Sequence, residues 1–316
     1  MKKLNVVFCG TPDFSVPALE MLSNHPGINL HSVITMPDRP AGRGQKLQSP
    51  PVAEYAKANR IKLYQTENIN KEDKMIAELE SSEIDFFVVL AFAQFLGTKV
   101  LSLPRMGCFN IHTSLLPKYR GAAPIQYALL NGDTETGVSI QKMVKKMDAG
   151  DLVKEHPLSI AQDETGGQLY TRLKFQAALT LNELIADIIE GDVTYKVQDE
   201  SNVSFAPTLK KEDGLINFEV ESAKVIFDKV RALKPWPGTY SFINSKRVKV
   251  VDVSKESYKV DPGTITVIDN KIIVGTMEGS LRIETLQFEG KKVCSDRDFL
   301  NGLQGDFNLS LSKDIK

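Results

Sequence analysis

Asn110 and His112 stand two residues apart in the run CFNIHT (108–113), and two carboxylates, Asp148 and Asp151, follow in KKMDAGDLV (145–153). In a strand, residues i and i+2 point to one side, so the amide and the imidazole would converge on a single spot. An amide donor and a protonated imidazole can together stabilise an oxyanion developing on a carbonyl oxygen. A carboxylate nearby would orient the imidazole and favour its charged form. Either Asp148 or Asp151 could serve, and either could equally be a turn former; the sequence leaves both open. No Ser or Cys accompanies the pair in a nucleophile elbow. The chemistry implied is direct attack of an acceptor on a carbonyl carbon.

Competing chemistries find less support. The first strand leads into GTPDFSVP (10–17), where only Gly10 of a dinucleotide fingerprint is present and Pro12 and Pro17 intervene, so a nicotinamide cofactor is not expected. A phosphate-cradling P-loop is absent as well. Cys9 and Cys108 fall within strands, where a thiol usually acts as a small hydrophobe. His25, His31, His112 and His156 show no ligand spacing with Cys or carboxylates, and no metal site is expected.

The elements that would hold the pair alternate in type. Strand candidates are LNVVFCG (4–10), NLHSVIT (29–35), IDFFVVLAF (84–92) and CFNIHT. Helical patterns lie between and after them, around 18–23, 52–59, 71–80 and 124–130. Unbroken apolar strands alternating with helices predict an α/β fold: a Rossmann-like, mostly parallel sheet with helices on both faces. Ligands in such sheets gather beyond the carboxyl ends of the strands, which is where Asn110 and His112 fall. A long helix over 165–190 follows, with Leu169, Leu173, Ala177, Leu181, Leu184 and Ile188 at three- and four-residue spacing. The polar stretch 191–208 reads as a linker between a first domain, 1–190, and a second, 209–316. After a helix at 222–233, that second domain is a series of β-rich runs (TYSFI, RVKVVDV, GTITVID, KIIVGTM, SLRIETLQF) punctuated by Gly, Asn and Asp, as in a small β-barrel.

The bulk numbers are consistent with this. A chain of 316 residues, 42% hydrophobic and 25% charged, suits two globular domains. A net charge of −1 means that a nucleic acid would have to be held by local patches. Three scattered cysteines fit a reducing cytoplasm. The start MKKLNVVFCG is read as a strand, not a signal peptide, because its apolar run stops after about five residues. No run of about 18 apolar residues follows, so no membrane span is expected.

The block FNIHTSLLPKYRGAAPIQYALLNGDTETGVSI (109–140), followed by MDAGDL (147–152), resembles the folate-dependent formyltransferases. The resemblance implies Asn110, His112 and Asp148 as the catalytic trio. It implies a folate-binding turn at Ser114, Leu115, Leu116 and Pro117. Further folate contacts would lie near Val89, Leu90 and Phe92, although the family's A-Y-G-type turn is replaced by LAFAQF (90–95). Ala93 then stands where glycine would give more backbone freedom. The implied co-substrate is 10-formyltetrahydrofolate, with no metal. TMPDRPAGRGQKL (35–47) resembles the loop with which some family members engage a tRNA acceptor stem, with Arg39, Arg43 and Lys46 as its cations. Arg and Lys on a glycine-rich loop suit phosphate contacts. The tail from about Leu209, with KPWPGTY (234–240), is similar to the family's C-terminal barrel of OB type. Its 18 Lys and Arg against 16 Asp and Glu require an arranged face to bind RNA. Together these imply initiator methionyl-tRNA as formyl acceptor, for a monomer in the bacterial cytoplasm. The alternative is an amino sugar nucleotide as acceptor.

Overall fold

The structure is a computed structural model that describes residues 3–42 and 44–302. Seven strands form the first sheet: β1 (Leu4–Gly10), β2 (Ile28–Thr35), β3 (Leu63–Gln65), β4 (Phe86–Leu90), β5 (Cys108–His112), β6 (Glu135–Lys142) and β7 (Leu152–Ser159). Their spatial order is β3-β2-β1-β4-β5-β6-β7. The first five are parallel, and β6 and β7 close one edge in antiparallel fashion. β4 and the stretch Val6–Cys9 of β1 are apolar on both faces because both are covered. Val7 and Cys9 join one core cluster with Met75, Ile76 and Leu79 of the helix Asp73–Ser81. Val6 and Phe8 point the other way and are equally inaccessible to water. Burying each such aliphatic or aromatic side chain stabilises the fold by about 1.5–3 kcal/mol.

The connection from β3 to β4 carries the chain across to the free side of β1, so the strand order reverses between β1 and β4. Such a switch point opens a crevice at the carboxyl ends of the two strands. Here the two ends are tied across it: Ser15 Oγ donates to the Leu90 carbonyl (2.7 Å) and Thr11 Oγ1 to that of Phe92 (3.3 Å). Immediately beyond, Ala91 and Ala93 both take left-handed backbone angles, with φ of 48° and 62°. The turn is braced by Gln94, whose Nε2 donates to the Thr66 carbonyl (2.6 Å) while its Oε1 accepts from the Ile69 N–H (2.7 Å).

The segment 35–47, expected as an open loop, is largely a hairpin in which Arg39–Ala41 pairs antiparallel with Lys46–Gln48. Its glycines lie at the tip, where Gly42 has φ 71° and Gly44 φ 98°, a conformation that lets the chain reverse. The described chain divides into two compact units. The second takes Pro207 onward together with Ile125–Thr134 and Ile160–Leu169. Its helix Ala223–Ala232 is capped by Ser222, whose Oγ accepts from the Val225 N–H (3.3 Å). The β-rich runs form a six-stranded antiparallel sheet in which Thr239–Ile243, Lys246–Glu256, Ser280–Phe288, Lys271–Gly275 and Ile265–Ile268 are successive neighbours. Two of its hairpins turn on residue pairs with positive φ, Asn244-Ser245 and Asp269-Asn270, as tight two-residue turns require. Ile226 and Val230 of the helix share a core with Val248, Val250, Ile272, Val274 and Leu281 of this sheet.

An alanine held in the left-handed region costs about 1–2 kcal/mol, part of which glycine would return to the entropy of the unfolded chain. Ala93→Gly is therefore expected to stabilise the protein by about 0.5–1 kcal/mol. Chemical denaturation of the two proteins checks this; an unchanged or lower midpoint would show that the turn is unstrained.

Candidate active site

Register places the polar residues side by side. On β5, Asn110 lies opposite Val89 of β4 on one flank and Gln141 of β6 on the other, while His112 lies opposite Ser139. Directly paired residues share a face, so Asn110, His112, Ser139 and Gln141 project together at the end of the parallel sheet. Val138 and Ile140 point to the opposite face and are fully buried. The alternation in ETGVSIQKM thus supplies two more polar groups to the face that Asn110 and His112 define.

The connection 143–151 between β6 and β7 returns Asp148 to that face. Asp148 has φ 50°, a left-handed conformation that a short polar side chain tolerates better than most. Gly150 is required two residues later: a Cβ there would lie 1.7 Å from the Lys142 carbonyl oxygen. Asp148 Oδ2 accepts from the Gly121 N–H (2.9 Å) and Oδ1 from Gln141 Nε2 (3.0 Å). Asn110 Nδ2 reaches the same Oδ1 at 3.4 Å, the outer limit of a hydrogen bond.

His112 is nearly inaccessible to water, and its Nε2 lies 2.8 Å from the Tyr119 carbonyl oxygen. A carbonyl can only accept, so Nε2 carries a hydrogen and donates it. That bond fixes the tautomer and leaves Nδ1 as the working nitrogen, 3.9 Å from Asp148 Oδ2. The imidazole therefore has one nitrogen anchored to the backbone and one facing a carboxylate, beside a carboxamide. Asp148, one of the two carboxylates that the sequence left open, occupies this position.

The residues expected to hold folate divide into two groups. Val89, Leu90 and Phe92 are almost fully buried, and Val89 and Phe92 pack into the core cluster beside Met75 and Ile76. What this edge offers a ligand is therefore backbone and the exposed Ala91 and Ala93. In the turn, Ser114 is wholly buried and its Oγ donates to the Lys118 carbonyl (2.6 Å). Ser139 Oγ accepts from the Leu116 N–H (3.0 Å) and donates to the Ser114 carbonyl (2.8 Å). Leu116 is buried, whereas Leu115 and Pro117 remain partly exposed. Hydrogen bonds thus brace the turn, and Leu115 and Pro117 are its partly exposed apolar residues.

Among the cations of the hairpin, Arg39 is exposed with Nη2 3.7 Å from Glu67 Oε1, and Lys46 is exposed. Arg43 lies outside the described residues. Cys9 and Cys108 are excluded as nucleophiles: burial pushes both thiols up, Cys108 to about 12, so neither provides thiolate near neutral pH. Among the described residues no cluster of His, Cys, Asp and Glu is arranged to hold a metal, and no helix is long and apolar enough to cross a membrane.

The stretch 191–208 contributes directly beneath the site. Phe205–Ala206 pairs in parallel with Arg120–Gly121, and Lys196 bridges to Leu152. Gln198 and Glu200 both accept from Arg120, a guanidinium almost wholly buried: Gln198 Oε1 from Nε (3.1 Å) and Nη2 (2.7 Å), Glu200 Oε1 from Nη2 (2.8 Å). Lys146 Nζ donates to the other Glu200 oxygen (2.7 Å). No periodicity marks these residues in the sequence. The one available signal was the arginine in YRGAAP, a charge among apolar neighbours that burial would oblige to find a partner.

Comparison with known proteins agrees with this architecture. Residues 2–185 match the family described as formyl transferase, and residues 208–304 match the formyl transferase C-terminal domain. A methionyl-tRNA formyltransferase of Geobacter metallireducens is 42% identical over 303 residues, 96% of each chain. One of Thermotoga maritima is 40% identical over 301 residues, 95% of each chain. Among solved structures, the sugar 3N-formyl transferase WlaRD in the presence of dTDP and 5-N-formyl-THF superposes with a TM-score of 0.66 at 20% identity, covering 92% of this chain and 100% of that one. HypX from Aquifex aeolicus, in complex with tetrahydrofolic acid, gives 0.63 at 16% identity, covering 99% of this chain and 51% of its own. At these identities the two structures share the fold.

The Glu200 carboxyl is held down from its ordinary 4.5 to about 2, first by its hydrogen bond from Arg120 and then by that from Lys146. A depressed value means that this stabilisation is complete above 4.5 and is lost as pH falls towards 2. The stability difference between the native chain and Glu200→Gln should accordingly be smaller at about pH 3.5 than at pH 7 by chemical denaturation. An equal difference at both would show that ionisation of Glu200 contributes nothing.

Proposed function

The chain belongs to the formyl transferase family, and from that premise we propose that it transfers the formyl group of 10-formyltetrahydrofolate to the α-amino group of methionine on initiator methionyl-tRNA. The observation that carries the chemistry is the commitment of His112 Nε2 to the Tyr119 carbonyl, which turns Nδ1 towards Asp148 beside the Asn110 amide. The acceptor is carried by the activity of relatives about 40% identical over nearly the whole chain.

The neutral amine attacks the formyl carbon, forming the new C–N bond as the carbonyl π electrons move onto oxygen. Asn110 Nδ2 and the protonated Nδ1 of His112 donate to that oxyanion, in a site that water does not dilute. Asp148 balances the imidazolium and, through water, accepts the proton that the amine gives up. The oxyanion then re-forms its double bond and the bond to folate N10 breaks. N10 leaves with the proton that Asp148 took from the amine, returned through water, giving tetrahydrofolate and formylmethionyl-tRNA and leaving Asp148 ionised again. No electron is gained or lost overall.

Folate would lie between the backbone of Leu90–Ala93 and the outer side of the Ser114–Pro117 turn, against Leu115 and Pro117. Arg39 and Lys46 on the hairpin, together with Arg43 of the same stretch of sequence, suit phosphates of the acceptor stem, and the C-terminal unit would extend the RNA surface. We read the protein as acting as a monomer in the bacterial cytoplasm, in translation initiation.

Purified protein supplied with radiolabelled formyl donor and either methionyl-tRNA or an amino sugar nucleotide should label the tRNA. Label in the sugar instead would overturn the acceptor assignment. Asn110→Ala should lower kcat by about 10²-fold, the scale of losing one oxyanion donor, and near-normal turnover in the folded variant would remove Asn110 from that role.

A further inference from the structure

Asp148 cannot aim its own carboxylate. It sits in a left-handed turn between two strands, and its oxygens would follow any movement of that turn. Two glutamines from distant parts of the chain grip it. Gln141 is 2% exposed and uses both ends of one carboxamide: Nε2 donates to Asp148 Oδ1 (3.0 Å), and Oε1 accepts from the Gly150 N–H (2.8 Å). Gln198, 5% exposed, works from the other side, its Nε2 donating to the carbonyls of Asp148 (3.0 Å) and Gly150 (2.7 Å). Neither amide can be turned round without loss. Gln198 Oε1 is fixed by Arg120, and a reversed Gln141 would set oxygen against carboxylate and nitrogen against N–H.

We infer that Gln141 and Gln198 are positioning residues for formyl transfer: they lock the Asp148–Gly150 turn and hold the carboxylate towards His112 Nδ1. Neutral carboxamides suit this role, because they donate hydrogen bonds to Asp148 without the full charge of Lys or Arg, which would compete for it with the imidazolium. Gln141 aims the carboxylate itself, whereas Gln198 holds the backbone beneath it and links it to the buried Arg120. The inference rests on the catalytic reading of Asp148. One of its measurements, made on the protein without substrates, is independent of that reading.

The variants are Gln141→Met, Gln198→Met and Gln141→Glu. The methionines keep the volume but lose every hydrogen bond of the amide. The glutamate keeps an oxygen for the Gly150 N–H and replaces only the donor to Asp148. In the free protein, amide exchange of Gly121, whose N–H Asp148 Oδ2 accepts, should accelerate about 10-fold or more in Gln141→Met. Exchange in β1 should stay unchanged. In the formylation assay, kcat should fall about 10- to 100-fold in all three variants, as expected for a misaligned catalytic group, with KM for both substrates within about 3-fold. Wild type assayed alongside separates the two hypotheses: if it formylates no methionyl-tRNA, the functional reading fails, whatever the exchange data show. With wild type active, the positioning role is overturned by near-normal kcat in Gln141→Glu and Gln141→Met. It is equally overturned by exchange that rises in β1 as much as at Gly121, the sign of a merely structural loss.

Discussion

The site depends on one constraint: a carboxylate, Asp148, is held near an imidazole without being neutralised by a cation of its own. Its side-chain oxygens accept from a backbone N–H, a glutamine amide and, at the edge of bonding distance, an asparagine amide. The positive charges of the neighbourhood are spent elsewhere. Arg120 is taken up by Gln198 and Glu200, and Lys146 by Glu200. The nearest group that can carry a compensating charge is therefore His112, through Nδ1.

The rest of the first unit can be understood as what makes this arrangement possible. Parallel strands buried on both faces give β5 a fixed register, and the register sets Asn110 beside Gln141. The antiparallel edge then lets the connection 143–151 fold back beside β6 and bring Asp148 over the same face, whereas a parallel crossover would carry the chain to the other end of the sheet. The turn after β5 is braced by buried Ser114 and Ser139, and it leads directly to the Tyr119 carbonyl that anchors His112. In the proposed function, chemistry and acceptor choice fall to different parts of the unit: the sheet edge would hold the reacting groups, and the exposed hairpin with Arg39 and Lys46 would meet the RNA.

Much of this was legible in the sequence, for physical reasons that also explain what was not. Period-two alternation is a strong signal, so β1, β4 and β5 and the shared side of Asn110 and His112 could be read directly. Asp148 could not be separated from Asp151 on spacing alone, because a turn residue's direction depends on backbone angles that the sequence does not display. The resemblance chose between them, and the geometry gives the reason for the choice. Val89 and Phe92 were expected beside folate, yet their side chains complete the core, leaving backbone and alanines at the edge. Gln198 and Glu200 lay in a polar stretch with no periodicity, where nothing distinguishes a side chain turned inward from one in solvent.

The proposed chemistry depends on the Asp148 carboxylate, and Asp148→Asn tests that dependence most directly because shape is kept while the charge is removed. The measurement is the single-turnover rate of formyl transfer from 10-formyltetrahydrofolate to methionyl-tRNA, with the affinity for each substrate determined separately. A rate lower by on the order of 10²- to 10³-fold, with both affinities retained, is the predicted result. A rate within a few-fold of the native enzyme, or a loss wholly explained by weaker binding, would contradict it.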